Sequence, residues 1–182
     1  MPNRSEDPVV DIGSRLILST QLDELNMDID HLRDISLHGD FDAIIANGKS
    51  AEQKEAALQK MIEQLHSPLL VHALVTQLKA KKWSFFGKSE FSDFIANLAA
   101  NNDATAIVRI VVAISFAPSD LEQMVAVLRE QLGKAVALDV EVDKSLIGGC
   151  TVQYGSHIWD SSIKSRLQTF RDNWQEAVTK EK

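Results

Sequence analysis

The sequence predicts an α+β protein: an N-terminal all-α helical bundle followed by a small C-terminal α+β domain. Three observations carry that reading. Apolar residues recur at helical spacing through the first half of the chain, the period changes to strand-like alternation after Asp103, and capping and turn residues punctuate both halves where elements should begin and end. The change of period divides the chain of 182 residues into a helical domain over 1–103 and an α+β domain over 104–182.

Leu22, Leu25, Ile29 and Leu32 recur at helical spacing, with Asp23, Glu24, Asp28 and Asp30 on the other side. Phe41 to Ala46 reads as a short helical piece ended by Asn47-Gly48, glycine supplying the left-handed stop. Ser50 and Gln53 form a capping box. The helix they open carries Leu58, Met61, Ile62 and Leu65 on one face. Ser67-Pro68 interrupts, and proline suits the first turn of a new helix bearing Leu70, Ala73, Leu74 and Leu78. Phe91, Phe94, Ile95 and Leu98 mark a further helix closing near Asn101-Asn102-Asp103.

From Ala106 to Phe116 the pattern predicts a strand with Val108, Ile110, Val112, Ile114 and Phe116 on one face, ended by Pro118. Ser119 and Glu122 form a second capping box, before a helix striped by Leu121, Met124, Val125, Leu128 and Leu132 and closed by Gly133. The clearest alternation follows: Val136, Leu138, Val140 and Val142 on one face, Asp139, Glu141 and Asp143 on the other. After Gly148-Gly149, the runs Cys150–Tyr154 and His157–Trp159 flank Gly155-Ser156, a type II′ hairpin pattern. A last helix from about Ser162 carries Ile163, Leu167, Phe170 and Trp174 on one face.

Composition narrows the function. With 26 acidic against 19 basic residues the net charge is −7, which argues against nucleic acid as principal partner. The short cluster Lys79, Lys81 and Lys82 reads as a solvated helix end. The longest apolar run, Ile110 to Ile114, is far below the roughly 20 residues a membrane helix needs, so any membrane link goes through another protein. The start Met-Pro-Asn-Arg-Ser-Glu-Asp lacks a basic stretch leading into an apolar core. A single cysteine, Cys150, excludes an internal disulfide framework. These features point to a cytoplasmic setting.

The chain has no Gly-rich phosphate loop, no His-Glu-x-x-His and no Cys or His pairs at zinc-ligand spacing, so no cofactor or metal is expected. Cys150, His157 and Asp160 lie within one predicted hairpin and could form a thiol-based catalytic site. Against that, Cys150 shares a face with Val152 and Tyr154, which suits a small core residue. Trp159 and Trp174 fit either a core or an interface anchor.

Two stretches of the second half then match a known pattern. Val142-Asp143-Lys144-Ser145-Leu146-Ile147-Gly148-Gly149-Cys150-Thr151-Val152 resembles the signature of ATP synthase delta (OSCP-type) subunits, an acidic strand end leading into a Leu-Ile-Gly-Gly turn. Ile158-Trp159-Asp160-Ser161-Ser162-Ile163-Lys164-Ser165-Arg166-Leu167 resembles the family's opening of its last helix, with Ser161 where a glycine is usual and Asp160 or Ser162 as cap. The Ser67-Pro68-Leu69-Leu70 junction also falls in the expected place, and the resemblance extends from about residue 20 to the end. The first helix departs: Ile12-Gly13-Ser14-Arg15-Leu16-Ile17-Leu18 stands where the family has a Tyr-Ala-x-Ala-Leu pattern.

The resemblance implies a non-catalytic connector, peripheral on the cytoplasmic face of a bacterial inner membrane. The helical domain would hold the N-terminus of the catalytic head's alpha subunit, and the α+β domain the C-terminal helices of the stalk's b subunit. Leu16, Phe91, Phe94 and Leu98 are the expected groove residues for alpha. Phe170, Trp174 and Val178 are expected at the stalk, where the acidic edge Asp139, Glu141 and Asp143 could also meet a basic helix. Gly148, Gly149, Asp160 and Ser162 are structural. The alternatives are an α+β enzyme using Cys150 and His157, and a helical adaptor of another complex.

Overall fold

The computed structural model describes residues 7–37 and 49–180, the side chains of 37 and 176–180 excepted. The short helix expected at Phe41–Ala46 and its Asn47-Gly48 stop lie outside the described residues.

Two compact units emerge. The first comprises residues up to Leu16 together with Thr20–Thr105. Its helices are α1 (Pro8–Arg15), α2 (Ser19–Leu37), α3 (Ala51–Ile62), α4 (Pro68–Lys79) and α5 (Lys88–Asp103). Three of these helices have capped starts. Asp7 accepts the N–H of Val9 ahead of Pro8, which is preset for a first turn. Ser50 Oγ accepts the Gln53 N–H at 3.2 Å while Gln53 Oε1 accepts the Ser50 N–H at 3.0 Å, so the capping box predicted from sequence forms. Ser67 caps α4, with Pro68 at its first position.

The apolar stripes meet in one core. Ile12, Leu25, Leu32, Leu58, Leu74 and Leu98 are fully buried there, together with Phe86 and Phe91. Burying each such side chain is worth roughly 1.5–3 kcal/mol, which is what holds short helices of modest propensity in place. Gly13 lets α1 approach α5 closely, since a Cβ there would lie 2.9 Å from the Asn101 amide nitrogen.

The second unit comprises Ile17–Ser19 and Ala106–Lys182. It contains β1 (Ala106–Val112), α6 (Pro118–Leu132), β2 (Val136–Val142), a 3₁₀ turn at Lys144–Leu146, β3 (Cys150–Tyr154), β4 (His157–Asp160) and α7 (Ile163–Lys180). The sheet runs β2-β1-β3-β4, with β1 and β2 parallel across the α6 connection and the other pairs antiparallel. Val108, Ile110, Val136 and Leu138 pack on α6 through Val125. Leu18 adds a parallel bridge to Leu138, whose N–H donates to the Ile17 carbonyl at 2.8 Å, so the outer edge of β2 is covered at Leu138.

Two expectations are corrected. The first strand stops at Val112 rather than Phe116, because its partners end there: Val112 faces Val142 on one side and Cys150 on the other. Ile114 is consequently exposed in a bend. The helix after it opens at Pro118 instead of after Ser119. Proline sets the first turn, and Asp120, not Glu122, reaches back to accept the Ala117 N–H at 3.3 Å.

Gly133 ends α6 in the left-handed region at φ 64°. Gly155 at φ 58° leads the two-residue turn between Tyr154 and His157, while Ser156 keeps a negative φ, the pattern of a type II′ turn.

Candidate functional site

In the helical unit, α1 is flanked by a cleft on each side. A cavity of about 400 Å³ lies between α1 and α4, lined by Asp11 and Arg15 on one wall and His72, Thr76 and Gln77 on the other. Arg15 is held by an i, i+4 pair with Asp11 at 2.9 Å. A second cavity, about 340 Å³, lies between α1 and α5 and is lined by Val9, Phe85, Glu90, Asp93, Phe94 and Asn97. Its aromatic wall is built edge to face: the Phe85 and Phe94 rings are 5.0 Å apart and the Phe85 and Phe86 rings 5.1 Å.

The groove residues expected from sequence are placed differently from one another. Leu16, Phe91 and Leu98 are buried, at 1% exposure or less, the last two as part of the helical unit's core. Phe94 is also buried yet contributes to the lining of the α1–α5 cleft. Phe85, which periodicity does not single out, is brought to the same cleft by the turn at 80–87.

In the α+β unit the two glycines of the Gly148-Gly149 motif fasten the start of α7 to β3. A Cβ on Gly148 would lie 2.6 Å from Ile163 Cδ1, and one on Gly149, at φ 76°, 2.5 Å from the Ser161 carbonyl. The backbone closes across them: Ile163 N–H donates to Gly148 O at 2.9 Å and Ser161 N–H to Cys150 O at 3.0 Å. Of the two expected caps, Ser162 is the one that caps α7, and Asp160 braces it from two residues before. Ser162 Oγ accepts the Ser165 N–H, and Asp160 accepts the Ser162 N–H at 2.8 Å. Those hydrogen bonds from the Ser162 amide and hydroxyl hold the Asp160 carboxyl below the usual aspartate range. Asp143 is lowered in the same way by the Ser145 amide and hydroxyl, with Lys164 adding a smaller attraction.

From this anchor α7 carries its apolar stripe into solvent. Ile163, Leu167, Phe170 and Trp174 are 43–66% exposed, and the last two rings stack at 6.4 Å. Val178 lies within α7, its side chain outside the described residues. The acidic edge is less available than the sequence implies, because Arg109 pairs with Glu141 and more loosely with Asp139 at 3.9 Å. That pairing raises the Arg109 pKa.

The hairpin register separates the proposed thiol pair. His157 pairs with Tyr154, four residues along β3 from Cys150, which is roughly 13 Å at strand rise and beyond hydrogen-bond reach. Cys150 packs beside Val152 and Tyr154 on the core face, its sulfur 3.7 Å from Ser161 Oγ. On that face an apolar hollow of about 260 Å³ opens among Leu128, Leu132, Tyr154 and Trp159. Among the described residues no cluster of three or more His, Cys, Asp and Glu could hold a metal ion, and no helix is long and apolar enough to cross a membrane.

Comparison with known proteins gives one consistent answer. The family model described as ATP synthase delta (OSCP) subunit matches residues 17–173. ATP synthase subunit delta of Paracoccus denitrificans is 31% identical over 174 residues, covering 93% of this chain and 87% of that protein. The same subunit of Fuscovulum blasticum is 30% identical over 162 residues, covering 85% and 84%. Among solved structures, a chain from the cryo-EM structure of the Toxoplasma gondii mitochondrial ATP synthase hexamer overlaps 84% of this chain and 87% of its own, with a TM-score of 0.36 and 14% identity, too distant a likeness to carry an argument.

Proposed function

The chain belongs to the ATP synthase delta (OSCP) subunit family, and we propose that it serves there as a non-catalytic connector between the catalytic head and the peripheral stalk. The observation that carries this reading is the pairing of two separate compact units, each with its own unpartnered surface. The helical unit offers the clefts beside α1, and the α+β unit offers the bare stripe of α7.

A connector of this kind must keep the head from turning with the central shaft during proton-driven synthesis. It needs firm grips at both ends and no chemistry between them. The N-terminus of the alpha subunit, as an amphipathic helix, would enter a cleft beside α1 and anchor through residues at i, i+3 and i+7. Phe91 and Leu98 then act as the floor that fixes the cleft's shape, Phe94 with Phe85 forms a wall, and Leu16 is buried just past the end of α1. The C-terminal helices of the b subunit would cover Phe170, Trp174 and Val178. Burying an aromatic side chain of that size is worth roughly 2–3 kcal/mol, so two of them form a substantial anchor. The protein would sit at the cytoplasmic face of the bacterial inner membrane, bound through the complex rather than to lipid.

Titrating the full chain with a synthetic peptide of the alpha N-terminus tests the head grip. Saturable binding is expected, and blocking one cleft with Thr76→Trp or the other with Asn97→Trp should abolish it. A folded protein that binds no peptide, or binding indifferent to both substitutions, overturns the head-binding role. Co-purification of the alpha and b subunits with the tagged chain distinguishes the connector from an adaptor of some other complex.

A further inference from the structure

The stripe on α7 has a spacing that the connector role alone does not require. Ile163, Leu167, Phe170 and Trp174 follow one another at intervals of four, three and four residues, the alternation of a two-stranded coiled-coil seam. A helix that merely lies on a globular surface carries a broader apolar face. Here the neighbours of the stripe are polar, and beyond its foot at Ile163, which packs on Gly148, the stripe is more than half exposed.

The residues on the two margins of that seam are Lys164, Arg166, Arg171 and Asn173, all exposed. Three are cationic and none is anionic, in a chain whose net charge is −7. Asp172, on the back of the helix by its position, makes a 3.3 Å contact with Arg171 and so offsets part of one charge. Lys164 donates to Ser145 Oγ at 3.3 Å at the foot of the helix.

We propose that α7 pairs along this seam with one helix of its stalk partner, and that this helix carries acidic residues on both margins of its own apolar stripe. The inference rests on reading α7 as the stalk contact and specifies the chemistry of that contact. Margin charges set partner choice and orientation in paired helices. A second copy of α7 would bring Arg166 against Arg171 in a parallel pair, and like against like in an antiparallel one, so self-pairing is disfavoured. An anionic lipid surface would attract the same cations, but it must also accept the rest of an acidic chain and would cover a wider face than this narrow seam offers.

The test uses the full chain and two synthetic helices of about four heptads, identical in their leucine seams but with glutamate or lysine at both margins. The glutamate helix should bind saturably and about tenfold more tightly than the lysine helix at low salt, with the gap closing as salt is added. Leu167→Asp, an exposed position, should abolish binding without unfolding the chain. The double substitution Arg166→Glu with Arg171→Glu should reverse the preference. Equal binding of the two helices, an unreversed preference, a Leu167-dependent dimer in sedimentation, or binding to anionic vesicles in place of either helix overturns the proposal.

The parent reading fails differently. If Leu167→Asp leaves assembly with the b subunit intact while the glutamate helix still discriminates, α7 is not the stalk contact, though its partner preference stands. If assembly is lost but neither helix is preferred, the stalk contact stands and the margin chemistry does not.

Discussion

The carboxylate of Asp28, on α2, accepts the backbone N–H of Ser67 at 2.7 Å, so a residue of one helix closes the amino end of another. The same carboxylate takes the His66 N–H at 2.9 Å, and Asp28 is almost wholly buried. The two amides that lead into α4, those of His66 and its N-cap Ser67, are thereby satisfied, that of Ser67 in the interior.

Removing that carboxylate strands the buried Ser67 donor and frees the part-buried one of His66. Asp28→Ala should lower the unfolding free energy by about 2–3 kcal/mol, because two charge-assisted hydrogen bonds are lost and the Ser67 amide is left buried without a partner. Urea denaturation followed by circular dichroism measures it. A loss no larger than that of an exposed control such as Asp30→Ala would show that the cap does not hold α4.

Gly149 and Gly133 both have positive φ but sit in different surroundings. Gly133 has nothing near its missing Cβ, whereas Gly149 faces the Ser161 carbonyl at 2.5 Å. Gly133→Ala should therefore cost about 1 kcal/mol, the left-handed penalty alone. Gly149→Ala should cost about 2–4 kcal/mol, because the backbone of the α7 start must move. Equal costs in chemical denaturation would contradict the close-approach reading.

Asp160 provides a pH signature. Its folded pKa is depressed below the ordinary 3.8, so its hydrogen bonds to Ser162 stabilise the fold fully above that value. The contribution is lost as pH falls through the lower folded pKa. The stability difference between the wild type and Asp160→Ala should thus be constant near neutrality and shrink at acid pH below 3.8. Thermal unfolding across that range measures it, and a gap that widens on acidification would reverse the sign.

Leu98 and Phe94 separate floor from wall. Both are core residues, and Leu98→Ala should cost roughly 2–5 kcal/mol of stability. Phe94→Ala should cost a similar amount and also weaken alpha-peptide binding when measured on the folded fraction, since its ring lines the α1–α5 cleft. Differential scanning calorimetry alongside the titration tells the two apart; a Leu98→Ala variant that stays stable but stops binding would make Leu98 a contact residue instead.

What could be read from sequence was whatever is local. The Ser50–Gln53 box, the Ser67-Pro68 start, the bounds of the strand from Val136 to Val142 and the stripe from Ile163 to Trp174 depend on neighbours a few positions away. The misses depend on distant chain. Val112 ends its strand because β2 and β3 end, and Asp28 looks like any solvated acid until α4 is folded against it. Helical spacing gives Phe91 and Leu98 an apolar face but cannot say whether a partner or the protein's own core covers it. Phe85 reaches its cleft through a turn that carries no periodic signal.

The bridge between Leu18 and Leu138 also sets a schedule. Leu18 leaves the ribosome about 120 residues before its partner, which at 5–20 residues per second is roughly 6–24 seconds of waiting. Throughout that interval the stretch Ile17–Ser19 is synthesised, flanked by helices and without the strand it will join. The earliest part of the sheet to be made therefore waits longest for its partner, and the newborn chain must carry it unpaired until β2 emerges.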